Sequence, residues 1–341
     1  MIFHQFELSQ VTEVMLAPLE RLRNYLLHFT DSTYSRPMRI GIFSSDAGYN
    51  TPDLLNLQDE LSVLGQTPFE ICFFFSDNSD FRNYNNYYKG QSRFYDRFNP
   101  SLKTFDARDI LTARNIPHVT LDIDEFYQRQ GYESKNCISI PPDQRRILRD
   151  MYYDEVEVIL GNYEREHGPL DMIVNDTYLS IISGKTLERK ILNCHWGDLT
   201  RSDKGGRIYT GYHGVLHSMQ NGDTELYSTI HFVNGIVDGG KIIMRSRPLK
   251  IDYQLAAEYG FPFNGLTNNE IVEFLNDPLN SEKAIELETF FEALIRLTID
   301  SDTLSLAVLA VAKNFFESGG MKDFAELHGI RDGVANYIQV I

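Results

Sequence analysis

The sequence predicts an α/β fold, a mostly parallel sheet covered by helices, and three observations predict it. Short apolar runs ending in small or polar turns recur through the first two thirds of the chain: "RIGIFSSDAGYN", "FEICFFFSD", "IPHVTLD" and "LDMIVND". Near-continuous apolar runs of this length mark strands buried on both faces. A long charged stretch, 143–167, precedes the last of them and has the length of a crossover helix. From about residue 250 the strand-like runs give way to helical periodicity. In such a sheet, ligands gather at the carboxyl ends of the strands.

The elements follow in order. Val11, Val14, Leu19, Leu22 and Leu26 recur at helical spacing over residues 10–28 and predict an amphipathic helix. A Pro-containing hinge, "SRPMR", precedes the first strand, so an α/β unit is expected to start near residue 38. After the second strand, "DNSDFRNYNNYYKG" (77–90) reads as a polar aromatic loop able to cover a pocket. Strand ends are expected at 191–194 and 226–233. "NNEIVEFLNDP", "SEKAIELETFFEALIRL" and "LSLAVLAVAKNFFESGG" are expected helices, capped by Asn268 or Asn269 and stopped by Gly319 and Gly320. The expected organisation is an N-terminal helical extension (1–37), a catalytic α/β domain (38–249) and a mainly helical C-terminal region (250–341). The terminal helices are expected to pack on the core or to form a homodimer.

Composition bounds the function. With 42% hydrophobic and 23% charged residues the chain reads as globular, and its formal charge of -16 argues against a broad nucleic-acid surface. Cys72, Cys137 and Cys194 are too scattered for a disulfide framework. "MIFHQFELSQVTEV" lacks a basic region feeding an apolar signal core, and "LSLAVLAVA" is too short to span a membrane. The expectation is a cytoplasmic protein with no membrane or nucleic-acid partner.

The chemistry concentrates in 191–247. Asn193 and His195 sit two positions apart at a strand end, and Asp238 precedes the permissive pair Gly239 and Gly240. An Asn amide suits an oxygen that becomes negative when a carbonyl is attacked. A His can hydrogen-bond the same intermediate and move a proton, and an Asp can orient and support an imidazolium. Each residue could instead satisfy a turn. Cys194 could pack in the sheet, and Trp196 could pack or stack on a ligand ring. His213, His217 and His231 lack the tight grouping of a metal site, and no metal is expected. Ser44, Ser45 and Asp46 form either an anion-binding turn or a strand exit, and 198–210 either a connector or a mobile cover.

At these residues the sequence resembles the folate-dependent formyltransferase family. "LNCHW" is similar to its Asn-any-His segment, and "STIHFVNGIVDGGKII" to its strand, loop and Asp-Gly-Gly segment. More loosely, 38–249 resembles the glycinamide ribonucleotide formyltransferase branch through "RIGIFSSDAGYN", "DMIVNDTYLSIIS" and "GYHGVLHSMQNGDTE". The resemblance implies a formyltransferase-type Rossmann-like fold and transfer of a formyl group from N10-formyltetrahydrofolate to a small-molecule amine. It implies catalytic roles for Asn193, His195 and Asp238. It also implies a folate pocket of Thr177, Tyr178, Leu179, Ser180, Ile181 and Ile182 on one side, and Val233, Asn234, Gly235, Ile236 and Val237 on the other. Ser45, Gly48, Tyr49, Asn50, Tyr209 and Tyr212 are expected to meet the acceptor. Trp196 after the His, the long 198–210 segment and the pair Asp46–Ala47 depart from that branch. They direct the expectation to another amine, an amino sugar or a specialised metabolite. Formyltetrahydrofolate deformylation and non-catalytic ligand binding are the alternatives.

Overall fold

The computed structural model describes residues 36–80, 94, 98, 105–178, 180–204, 206–317 and 338–339. The expected helix at 10–28, most of the 77–90 loop, Leu179 and the stop at Gly319 and Gly320 lie outside these residues.

The sheet is built from β1 (Met38–Ser44), β2 (Phe69–Ser76), β3 (His118–Thr120), β4 (Met172–Asn175), β5 (Ile191–Trp196), β9 (Ser228–Phe232), β10 (Ile242–Arg245) and β12 (Ile338–Gln339). Its strand order is β12-β10-β9-β5-β4-β1-β2-β3. The β3–β2–β1–β4–β5 half is parallel, and β9 runs antiparallel to both β5 and β10. The remaining short strands are β6 (Ser202–Asp203), β7 (Gly206–Arg207), β8 (Glu225–Leu226) and β11 (Leu249–Lys250). They form two antiparallel pairs, β6 with β7 and β8 with β11.

Strand alternation sorts the apolar residues into two layers. Met38, Ile40 and Ile42 of β1, Met172 and Val174 of β4 and Leu192 of β5 face one core. That core is covered by α1 (Thr51–Val63) and by α9 (Ser301–Glu317). Phe43, Phe73, Phe75, Ile173 and Ile191 face the other. It is covered by α3 (Ile123–Arg129) and the 26-residue α4 (Pro142–His167), whose Leu148, Tyr152, Val156, Leu160 and Tyr163 form its buried stripe. Between β2 and β3 lies α2 (Ala107–Ala113), capped by the Asp106 carboxylate. Parallel strands buried on both faces explain why the sequence runs were continuously apolar.

The C-terminal helices lead back into the central core. After α5 (Gly214–Gln220) and α6 (Tyr253–Glu258), α7 (Asn268–Asn276) is capped by Thr267, not by Asn268 or Asn269. Thr267 and Glu270 form a reciprocal capping box, which satisfies two backbone donors at once. Helix α8 (Ser281–Ile295) passes through a π turn, Arg296–Asp300, into α9. Leu304, Ala307, Val308 and Val311 of α9 are buried in the same core as β1, β4 and β5. The segment "LSLAVLAVA" is apolar on most of its circumference, so covering the sheet is the packing that removes it from water. No described helix is long and apolar enough to cross a membrane.

Candidate active site

Register across three strands builds the site. Asn175 of β4 pairs with Asn193 of β5, and Asn193 pairs with His231 of β9. The three side chains therefore form a row across one face of the sheet, and His195 lies two residues further along β5.

The row has a defined hydrogen-bond direction. His231 Nδ1 lies 2.9 Å from the Phe232 carbonyl oxygen, which can only accept, so Nδ1 carries the proton in the neutral ring. Nε2 then accepts from Asn193 Nδ2 at 3.1 Å. Asn193 Oδ1 accepts from Asn175 Nδ2 at 3.2 Å. This orientation leaves Asn193 one amide N–H beyond the His231 bond. At the end of the row, Asn175 Oδ1 is buried without a hydrogen-bond partner.

His195 is held from both sides. Nε2 lies 2.6 Å from the Tyr209 carbonyl oxygen, and Nδ1 lies 3.4 Å from Asp238 Oδ2. A Cβ at Gly197 would come within 2.8 Å of both His195 Nε2 and the Tyr209 carbonyl, so glycine gives the ring its space. Burial lowers the His195 pKa more than the Asp238 charge raises it, which favours the neutral imidazole.

Asp238 sits at φ 50°, a left-handed conformation uncommon outside glycine, in the turn before β10. Gly240 is required there, because a Cβ would collide with the Phe232 carbonyl. The Asp238 carboxylate accepts from Gly211 N at 2.7 Å, and His231 Nε2 lies 3.5 Å from its other oxygen. Burial alone would raise its pKa. The neighbouring His231 and His195 side chains and the Gly211 amide outweigh burial and hold it at about 2. Arg207 of the β6–β7 hairpin donates to the Asp238 carbonyl, so the 198–210 segment braces this turn.

These residues open on a cavity of about 330 Å³. Asn193, His195 and Asp238 all line it. One wall carries Thr177, Tyr178, Ser180, Ile181 and Ile182, and the facing wall carries Val233, Asn234, Gly235, Ile236 and Val237. Thr177, at φ 59°, is a second left-handed residue at a strand exit, held by Ser45 N donating to its carbonyl. Lys135 Nζ lies 2.9 Å from Ser180 Oγ, which in turn bonds Asp77, so the first wall is anchored to α3's flank and β2's exit. Ile181, Ile236, Val237 and Tyr212 are at least half exposed around the cavity. Apolar side chains left exposed around a concave site mark a place for an organic ligand.

The expected acceptor residues divide. Tyr212 lines the cavity. Ser45, Gly48, Tyr49 and Asn50 do not; they are buried in the turn after β1. Asp46 there pairs with Arg296, Tyr49 stacks on Phe105 at 5.4 Å, and Asn50 Nδ2 donates to Asp300 at 3.1 Å. The turn is closed from outside by Arg296 and Asp300 of the π turn. Tyr209 also stays out: its ring is buried and its hydroxyl donates to Asp223 at 2.5 Å. It serves His195 through its backbone carbonyl. Cys194 points to the opposite side of β5, donating to Asp300 at 2.6 Å. Burial first, and the Asp300 charge second, raise its pKa well above the usual thiol value, so it is held as a thiol. His213 bonds Glu288 at 2.7 Å, and no group of three ligating side chains suited to a metal occurs among the described residues.

Several cavity residues were not among the site residues expected from sequence: Asn175, Gly211, His231 and Glu292. Glu292 belongs to a buried stripe, Glu288, Glu292, Arg296 and Asp300, each at most 1% exposed and spaced by four along α8 and the π turn. Charges on an apolar helical face at that spacing, in "LETFFEALIRLTID", were the available clue. Arg296 also lies over the Trp196 ring, 4.9 Å from its centroid, so Trp196 stacks on the protein's own cation.

Comparison with known proteins adds a sequence relationship. A 109-residue stretch is 32% identical to phosphoribosylglycinamide formyltransferase of Haemophilus influenzae. Over that stretch the chain is homologous to a formyltransferase. The match spans 30% of this chain and about half, 48%, of the relative. No family model matches the chain. Among solved structures, phosphoribosylglycinamide formyltransferase from Bacillus halodurans aligns with a TM-score of 0.40 and 18% identity, covering 71% of this chain and 97% of that one. A formyltetrahydrofolate deformylase from Pseudomonas syringae pv. tomato aligns with a TM-score of 0.46 and 12% identity, covering 82% and 63%.

Proposed function

We propose that the chain transfers a formyl group from N10-formyltetrahydrofolate to an amine, either an amino sugar or a specialised metabolite. The observation that carries this reading is one cavity in which Asn193 and His195 meet Asp238 between two apolar walls. The walls fit a flat heterocycle: Tyr178, Ile181 and Ile182 on one side and Val233, Ile236 and Val237 on the other would hold the donor. The donor supplies an electrophilic formyl carbon on nitrogen.

The chain's residues then divide the work. The acceptor nitrogen, unprotonated, attacks the formyl carbon as the donor's carbon–nitrogen bond breaks. The amine loses a proton and the departing donor nitrogen gains one. The remaining Asn193 N–H donates to the formyl oxygen as it becomes negative. Neutral His195 takes the proton from the amine and gives it on to the departing donor nitrogen, and Asp238, ionised at neutral pH, stabilises the imidazolium in between.

The test uses the full chain, formyl-labelled donor and a panel of amines, with formate measured alongside. Label appearing in an N-formyl amine supports the transferase. Formate released in step with donor loss, whether or not amine is present, supports deformylation instead. Donor binding with neither product would mark a binding protein.

A further inference from the structure

We propose that Asn175 positions the amine for attack: its Oδ1 accepts the N–H that the attacking nitrogen keeps, and the site thereby selects primary amines. The proposal rests on the transferase reading for its reaction, and goes beyond it in assigning a residue and a class of acceptor.

Two observations carry it. The first is an unpaired acceptor on the catalytic face. Asn175 is 3% exposed and lines the cavity, and among the described residues its Oδ1 has no hydrogen-bond partner. Its other amide atom is committed, since Nδ2 donates to Asn193 Oδ1 at 3.2 Å. The Phe232 carbonyl sets the His231 tautomer, and the row from His231 through Asn193 to Asn175 carries that choice to its end. The atom left over is therefore an oxygen. Register explains why the row stops there. The next position, on β1, is Phe43, which pairs with Asn175 and is fully buried. A phenyl ring has no N–H or O–H to give. A buried acceptor left unpaired is costly, and a donor on a ligand removes that cost.

The second observation is the company this oxygen keeps. Asn175 pairs directly with Asn193 across β4 and β5, His195 lies two residues further along β5, and all three line one cavity. Asn193 brings a donor for the formyl oxygen, and His195 takes a proton from the amine. Asn175 brings a further acceptor. A primary amine has two N–H groups to match: its lone pair forms the bond to the formyl carbon as the donor's carbon–nitrogen bond breaks, one proton passes through His195 to the departing nitrogen, and the other stays in the product formamide. That retained N–H is the one assigned to Asn175 Oδ1. Until the first proton leaves, the attacking nitrogen is positively charged, and a charged donor makes the stronger hydrogen bond. The contact is thus tightest where it speeds the reaction. A secondary amine has a single N–H, which His195 must receive, so Oδ1 stays unpaired. Leaving a buried polar group without its partner is an effective way to reject a substrate.

The test measures formyl transfer by the full chain from labelled N10-formyltetrahydrofolate to two matched pairs: glucosamine with N-methylglucosamine, and ethanolamine with N-methylethanolamine. With kcat/KM referred to the unprotonated amine, the primary member of each pair is expected to lead by roughly tenfold or more. Asn175→Leu and Asn175→Ala remove the acceptor. Losing the Nδ2 bond to Asn193 slows both members of a pair alike, so the ratio within a pair isolates Oδ1. It is expected to fall by about tenfold, toward unity. A purely structural Asn175 would lower both rates and leave the ratio where it was. Equal transfer to both members in the wild type overturns the proposal, and this comparison stands even if neither variant folds. An unchanged ratio in a folded variant also overturns it. In both of those results label still reaches an amine, so the transferase reading survives. Label in no amine, with formate formed instead, removes the transferase reading and this proposal with it.

Discussion

His195 Nδ1 lies 3.4 Å from Asp238 Oδ2, while the opposite ring nitrogen lies 2.6 Å from the Tyr209 carbonyl. Both neighbours are acceptors, so the doubly protonated ring is the state they complement, and burial is what keeps the resting ring neutral. A group poised in this way can take a proton during reaction and be stabilised as it does so.

The pH profile should report that balance. Burial lowers the His195 pKa below its ordinary 6.5, so kcat/KM referred to the unprotonated amine should stay level down to pH 6.5 and fall only below it. Asp238→Asn removes the charge that raises the His195 pKa. Its acid limb should move to lower pH, and its rate should drop by roughly 10²–10⁴-fold. An acid limb that stays in place would separate His195 from Asp238 in the mechanism.

Asn193→Ala should lower kcat by about 10²–10³-fold with little change in donor affinity, the pattern for a donor used in the transition state. His231→Ala should act through Asn193: losing the acceptor at 3.1 Å frees the amide to turn, lowering kcat less than Asn193→Ala does. Equal turnover in wild type and folded Asn193→Ala would remove the oxyanion role.

Asp176 gives a stability test. Burial first, and the nearby Asp46 charge second, push its carboxyl up to about 7 against the pull of Arg296. The folded state therefore keeps a proton that the unfolded chain releases near 3.8. This contribution is fully present below 3.8 and is lost as pH rises through about 7. Asp176→Asn retains an oxygen for Asn50 N and Thr51 Oγ1 and should flatten the fall between those pH values. Chemical denaturation at several pH values measures it; an unchanged slope would contradict the assignment.

Leu304→Ala tests the placement of α9 in the central core. Leu304 is fully buried in the core that also holds β1 and β4 residues, so its truncation should cost about 2–5 kcal/mol in denaturant unfolding. A loss below about 0.5 kcal/mol would suit an exposed surface and contradict the packing.

The parallel strands were legible because burial on both faces writes itself as uninterrupted apolar sequence, as in "FEICFFFSD". Asn193, His195 and Asp238 were legible as types of chemistry near a strand end, and their convergence follows from β5 and β9 being neighbours. His231 was hidden because its role depends on register: one residue along β9 would turn it to the other face. Glu292 was hidden because a charged residue on a helix reads as solvated until its neighbours are known. The burial of Asp46 and Asn50 was hidden in the same way, since the partners that bury them, Arg296 and Asp300, are about 250 residues away.

The central claim is most directly tested by following a ¹³C-labelled formyl group in a single turnover of the full chain with N10-formyltetrahydrofolate and a hydroxyl-bearing amine. The account predicts label in an N-formyl amine, at a rate that collapses in Asn193→Ala and His195→Ala. Label appearing solely as formate, at a rate indifferent to the amine, would contradict it.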